Sequence, residues 1–253
     1  MDGNHLLLAA VPIVGFAAGF INTLAGSGSL ITLPVLILLG LPANVANGTN
    51  RVGVLVQNMV AVDTFRRHGA LDPGSSLKLL VPTVLGSIAG AALAVDLDET
   101  VLRRTIGVLL LVMLAIMLAR PARFIASREA PRPATPWVQM PVFFAIGVYG
   151  GFIQAGVGFF LLAGYVLGAG VDIVRANVMK NLTVLVFTAA ALAVFVANDQ
   201  VDWGLGAALA LGQAAGAWTA ARMALARGAR FVHWFVVAIL VVSAAALILD
   251  AGR

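Results

Sequence analysis

Long uncharged apolar runs recur along almost the whole chain, and several approach or exceed the ~20 residues that carry a helix across a hydrocarbon core of about 30 Å. Inside a bilayer no water satisfies backbone N–H and C=O groups, so only helices and closed barrels span it. Runs that are continuous rather than alternating select helices. A water-soluble fold fails on composition: of 253 residues, 61% are hydrophobic and 11% charged, and the mean hydropathy is +1.00. That leaves too little polar surface to cover a globular domain. The expectation is an all-α polytopic, multi-pass membrane protein.

Several function classes recede on the same grounds. The absence of cysteine removes disulfides, thiolate metal sites and cysteine nucleophiles together. No His, Asp or Glu cluster has metal-ligand spacing and no phosphate-binding glycine loop appears, so no metal or other cofactor is implied. The formal net charge of +5 rests on arginines in short loops between apolar runs, where membrane topology explains it and no nucleic acid is needed. The N-terminal "MDGNHLLLAAVP" lacks a basic flank and reads as part of the mature fold rather than as a cleaved signal.

Apolar runs bounded by charges, prolines and glycines fall at about 6–25, 29–40, 44–62, 77–95 and 101–119. The stretch 120–136, "RPARFIASREAPRPATP", is basic and proline-rich and reads as a linker. Five more runs follow, at about 140–155, 159–169, 176–197, 203–223 and 231–249. The two sets align in order. Gly15, Gly19, Phe20 and Ile21 match Gly147, Gly151, Phe152 and Ile153. Ala25, Gly26 and Gly28 match Ala155, Gly156 and Gly158, and Ala46 and Asn47 match Ala176 and Asn177. Asp72 and Gly74 match Asp202 and Gly204. The expected organisation is therefore a first transmembrane repeat over 1–119, a linker over 120–136 and a second repeat over 137–253.

Positive charge orients the chain, because short loops rich in Arg and Lys stay in the cytoplasm. Arg66, Arg67, the linker, Arg222, Arg227 and Arg230 then lie inside, and Asp96, Asp98, Glu99, Asp199 and Asp202 outside. Arg103 and Arg104 are the awkward pair, falling near the outer face. On this assignment the third segment of each half runs in opposite senses, so the repeats are inverted, an arrangement common in transporters.

Both halves carry a glycine break at matching places, "AGSGS" over 25–29 and "AGVGF" over 155–159, each followed by a short apolar segment of about 12 residues, or about 18 Å of helix. Backbone broken at membrane depth is tolerated where it is buried in protein or lines a wet cavity. Helix starts there present N–H groups suited to an anion. The plainer role of close helix packing suits Gly86, Gly90, Gly212 and Gly216. The third segments add polar chemistry: Asn47, Arg51 and Asn58 fall near one helical face, with Thr49 and Asn50 beside them. Asn177, Asn181 and Thr188 match them, with Lys180 adjacent. Amide and hydroxyl donors replace an oxyanion's hydration shell, and a cation offsets its desolvation. The alternative is that Arg51 and Lys180 snorkel to an interface.

At "INTLAGSGSLITLPVLILLGLPANVANGTN", the following "RRHGALD" loop and the degenerate second copy, the chain resembles the sulfite exporter TauE/SafE family of anion permeases. The resemblance covers nearly the whole chain. It implies a multi-pass carrier of the cell inner (cytoplasmic) membrane for small sulfur oxyanions or organosulfonates. It places the substrate near Asn22, Thr23, Gly26, Ser27, Gly28, Asn47, Thr49 and Asn50, and near Gln154, Gly156, Gly158 and Asn177. Val157 and Phe159 stand where the first copy has serines, which implies an asymmetric site.

The expected mechanism is alternating access, with the inverted halves rocking around a bound anion. The partners expected are that small anion and the lipid bilayer; the sequence sets no oligomeric state. The apolar runs hold almost no carboxylate, and Asp63 sits beside Arg66 and Arg67 where a local ion pair explains it. With no buried acid for a proton relay, the cytoplasm-negative potential is the expected driving force for anion export. A passive anion channel could use the same lining groups. An intramembrane serine hydrolase built on Ser27 and His233 is a weaker alternative, since AGSG is not a strict G-x-S-G and "RFVHWF" places His233 at a basic interface.

Overall fold

The computed structural model describes residues 3–71, 74–119 and 134–250. Most of the expected linker, 120–133, and Asp72 of the repeat match lie outside the described residues.

Among the described residues every regular element is helical. The first half holds α1 (Gly3–Ala25), α2 (Ser29–Leu38), α3 (Ala43–Arg67), a 3-10 turn (Gly74–Leu79), α4 (Leu80–Val95) and α5 (Glu99–Ala119). The second half holds α6 (Pro136–Phe152), α7 (Val157–Ala163), a π turn (Gly164–Gly168), α8 (Ile173–Ala197) and α9 (Trp203–Asp250). The apolar runs of the sequence map onto these helices in order. The last two runs join in α9, whose backbone is interrupted at Gly228 in a left-handed conformation (φ 67°).

Length and composition alone let two of the described helical stretches cross a membrane, Leu77–Val95 and Ile173–Ala197. For α2, α3 and α7 the reason they fail that test is physical. At 10 and 7 residues, α2 and α7 are too short, and α3 carries Asn47, Asn50, Arg51, Gln57 and Asn58 in its interior. Those polar residues are buried against other helices, while the periphery is apolar: Ile13, Leu38, Val81, Leu85, Leu93, Val108 and Leu211 are all more than half exposed. Exposed apolar side chains over buried polar ones are what a lipid solvent selects.

Glycine sets the packing. In α1, a Cβ on Gly15 would lie 2.7 Å from the Leu209 carbonyl oxygen of α9, and one on Gly19 would lie 2.3 Å from that of Gln213. In return, Gly212 and Gly216 of α9 sit against the carbonyls of Pro12 and Phe16. The same device joins α4 to α6: Gly86 and Gly90 meet the carbonyls of Phe144 and Val148, and Gly147 and Gly151 meet those of Thr83 and Ser87. Backbone-to-backbone approach of this kind drives helix association where no hydrophobic effect operates between helices. The first helix of each half thus packs along the fourth helix of the other. Between these pairs α3 and α8 contact each other, with Val54 and Val184 in one buried cluster with Val157, Leu161 and Phe187.

Charged ends are handled locally. The Glu99 carboxylate accepts from the Ala43 N–H at 2.8 and 3.0 Å, satisfying a free donor at the start of α3. It also pairs with Arg103 at 3.1 Å, which accounts for one of the awkward arginines. Asp63 pairs with Arg67 at 2.6 Å and Arg66 at 3.6 Å, as the sequence suggested.

Candidate site at the meeting of two glycine breaks

The chain stops being helical at Gly26 because its φ of 77° belongs to the left-handed region, and restarts at Ser29. The second break is longer and begins earlier than the sequence suggested. Helix α6 ends at Phe152, Gln154 takes φ 62° and Gly156 takes φ 73° before α7 begins at Val157. A left-handed glutamine is strained, of order 1 kcal/mol or more, and such strain gathers at functional sites.

The two breaks touch. A Cβ on Gly26 would lie 2.3 Å from Gly158 Cα, and one on Gly158 would lie 2.4 Å from Gly26 Cα. Gly28 folds back onto its own first helix, where a Cβ would meet the Ala18 carbonyl at 2.2 Å. Glycine at these positions lets backbone from the two halves meet in the protein interior.

Each break is held by a cation from the other half. Lys180 of α8 donates to the carbonyls of Asn22 and Thr23, at 2.9 and 2.8 Å, and Asn181 adds a bond to Thr23 at 3.2 Å. Arg51 of α3 donates to the carbonyls of Gly150, at 3.1 Å, and Gly151. Asn47 reaches the Phe152 carbonyl at 2.7 Å and accepts from Arg51 at 3.3 Å. Last-turn carbonyls carry partial negative charge, so a cation and an amide at each helix end answer the same electrostatic need. Both cations are fully buried, and the Arg51 guanidinium stacks 4.6 Å from the Phe195 ring centre. The snorkelling alternative therefore does not describe them. Among the described residues their hydrogen-bond partners are carbonyl and amide oxygens rather than carboxylates.

The remaining expected residues divide in two. Thr23 Oγ1, Ser27 Oγ, Arg51 Nε, Gln154 Oε1, Asn177 Oδ1 and Asn181 Oδ1 are buried without a partner. Such orphans are rare in folded proteins and call for a ligand, ion or water. Asn22, Thr49 and Asn50 are engaged. The Asn22 amide donates to Gln57 at 3.1 Å. Asn50 accepts from Thr32 at 2.6 Å and donates to Ser29 at 3.1 Å, tying α2 to α3. Thr49 accepts from the Asp202 N–H at 2.8 Å, so its hydroxyl serves the start of α9. Thr188 accepts from the Gln154 side chain at 2.6 Å and steadies the strained break.

The sulfite exporter TauE/SafE family model matches residues 11–247. The chain belongs to the TauE/SafE family. As a member it is a membrane transporter and not an enzyme, which removes the hydrolase alternative; the side chain of His233 lies outside the described residues. A probable membrane transporter protein, ORF9, from Sinorhizobium sp. is 28% identical, covering 96% of this chain and 93% of the relative. One from Haemophilus influenzae is 27% identical over 100% and 98%, and YfcA from Escherichia coli K12 is 27% identical over 98% and 91%. No solved structure matches.

Sequence reasoning does not single out two buried glutamines. Gln57 on α3 and Gln213 on α9 each keep one unpartnered amide atom. A lone amide inside an apolar run is the available signal.

Proposed function

We propose that this protein exports small sulfur-containing anions, sulfite or organosulfonates, across the cell inner membrane by alternating access of two inverted repeats. The observation that carries the reading is that the hydroxyls of Thr23 and Ser27, beside the first break, and Nε of Arg51 are buried without a partner in an interior that also holds Lys180. Buried basic side chains with free hydroxyl and guanidinium donors favour an oxyanion over a cation or an apolar solute. Family membership supports a sulfur oxyanion as that anion.

The repeat reading is supported by the reciprocal glycine contacts of α1 with α9 and α4 with α6, and by the exchange of cations between halves. Rocking one half against the other moves Arg51 and Lys180 relative to the carbonyls they hold, so a bound anion and those carbonyls compete for the same donors. The tight contact of Gly26 with Gly158 favours a carrier over an open channel. Two buried basic residues, with no buried acid among the described residues, favour the membrane potential over a proton as the driving force.

The test is flux into inside-out proteoliposomes of labelled sulfite, sulfate, acetate and 2-hydroxyethanesulfonate. Saturable sulfite or sulfonate uptake with counterflow is expected. Flux of acetate or sulfate alone would change the substrate, and uptake without saturation would make the protein a channel.

A further inference from the structure

The polar interior does not end at the breaks. The Asn22 side chain leaves the first break and donates to Gln57 Oε1 at 3.1 Å, leaving Gln57 Nε2 buried without a partner. One helical turn earlier on the same face of α3 is Gly53, where a Cβ would lie 3.0 to 3.1 Å from the amide of Gln213. The glycine makes room for that amide, and Gln213 Oε1 is likewise unpartnered. Both glutamines are 1% exposed. Two free amide atoms, one a donor on Gln57 and one an acceptor on Gln213, thus belong to side chains packed along one face of α3, a helical turn apart.

The equivalent position, between α8 and α4, has no such pair of glutamines. In the register that pairs Asn58 with Thr188, the counterpart of Gln57 is Phe187, which is buried against Gly150. In the register that pairs Gly212 with Gly86, the counterpart of Gln213 is Ser87, whose hydroxyl is spent on the carbonyls of Val84 and Phe187. General packing of related halves does not call for amides on one side alone. Burying unsatisfied amides costs free energy unless a ligand completes them.

We propose that Gln57 and Gln213, linked to the break through Asn22, form a second subsite that binds an oxygen function at the far end of an organic anion. Resting on the anion-transport reading above, the proposal narrows the substrate to a two-ended organosulfonate, its sulfonate at the breaks and its hydroxyl at the glutamines. A free donor and a free acceptor together suit a hydroxyl, which is both.

The experiment compares 2-hydroxyethanesulfonate with ethanesulfonate, which lacks only the oxygen, in proteoliposomes, with sulfite counterflow as reference. A site built to hydrogen-bond a hydroxyl discriminates against the analogue lacking it. Wild type is expected to favour the hydroxyl compound roughly tenfold in kcat/KM, the order of one lost hydrogen bond. Gln57→Leu and Gln213→Leu should each erase that preference while keeping sulfite counterflow. Where a Leu variant does not fold, Gln57→Asn, one methylene short, is expected to reduce the preference. Equal handling of the two sulfonates by wild type, a preference that survives in the variants, or sulfite counterflow lost with it would overturn the subsite. Sulfite carried alone would sink the subsite and leave the anion exporter standing; no flux of any anion would sink both.

Discussion

Replacing Gly26 by Ala separates two costs that the structure assigns to one residue. The first is conformational: at φ 77° an L side chain is strained by about 1–2 kcal/mol. The second is steric: the new Cβ would sit 2.3 Å from Gly158 Cα, 2.5 Å from its carbonyl carbon and 2.9 Å from the Phe159 nitrogen. All three are backbone atoms that move only with α7, and overpacking of this kind costs about 1–3 kcal/mol. Gly26→Ala is therefore expected to cost about 2–5 kcal/mol, the sum of the two ranges. Two companions isolate the parts. Gly40 has φ 94° with no atom within 4 Å of the place a Cβ would take, so Gly40→Ala carries the conformational cost alone, about 1–2 kcal/mol. Gly158→Ala carries the contact alone. Helix propensity there favours Ala by about 1 kcal/mol, so any net loss belongs to the contact. The assay is SDS-induced unfolding of purified protein in mixed micelles, with flux measured in parallel. Because Gly26 and Gly158 share one contact, the double variant should depart from additivity by at least about 0.5 kcal/mol. Gly26→Ala no worse than Gly40→Ala, with Gly158→Ala neutral, would refute the apposition of the breaks.

Other consequences follow from the same geometry. Arg51→Lys keeps the charge but not the fork that reaches two carbonyls, so about 1–3 kcal/mol of stability should be lost in the same unfolding assay, with slower flux. Asp63→Asn breaks only exposed ion pairs, so stability should change by no more than about 1 kcal/mol and flux not at all. Export of a monovalent anion should respond to an imposed potential, with an equilibrium gradient near fifty-fold for about 100 mV; flux indifferent to the potential would exclude that driving force.

The helices and the places of both breaks are legible in the sequence because lipid imposes a coarse code: long apolar runs, interrupted by Gly26 and Gly156 where the backbone turns left-handed. The glycine contacts at Gly86 and Gly212 are legible for the same reason, since small residues in apolar helices mark close approach. Arg51 and Lys180 stand out as cations within apolar segments, but their partners do not. Those partners are main-chain carbonyls in the other half of the chain, and a carbonyl has no sequence signature. Thr49 looks equivalent to Asn50, yet a rotation of about 100° per residue along a helix sends its hydroxyl to Asp202 instead. The early end of α6 is hidden because Ile153, Gln154 and Ala155 resemble helix sequence, and Gln154 turns left-handed without being glycine.

The central claim is that a small sulfur oxyanion binds where the two breaks meet. Thr23 Oγ1 and Ser27 Oγ have no protein partner, so Thr23→Val with Ser27→Ala removes two ligand donors and leaves nothing else unpaired. Equilibrium binding of radiolabelled sulfite to the purified protein tests this most directly. The account predicts saturable binding to wild type that weakens at least about tenfold in the double variant, with unfolding unchanged. Binding equally tight in the double variant, or no saturable binding to wild type, would contradict it.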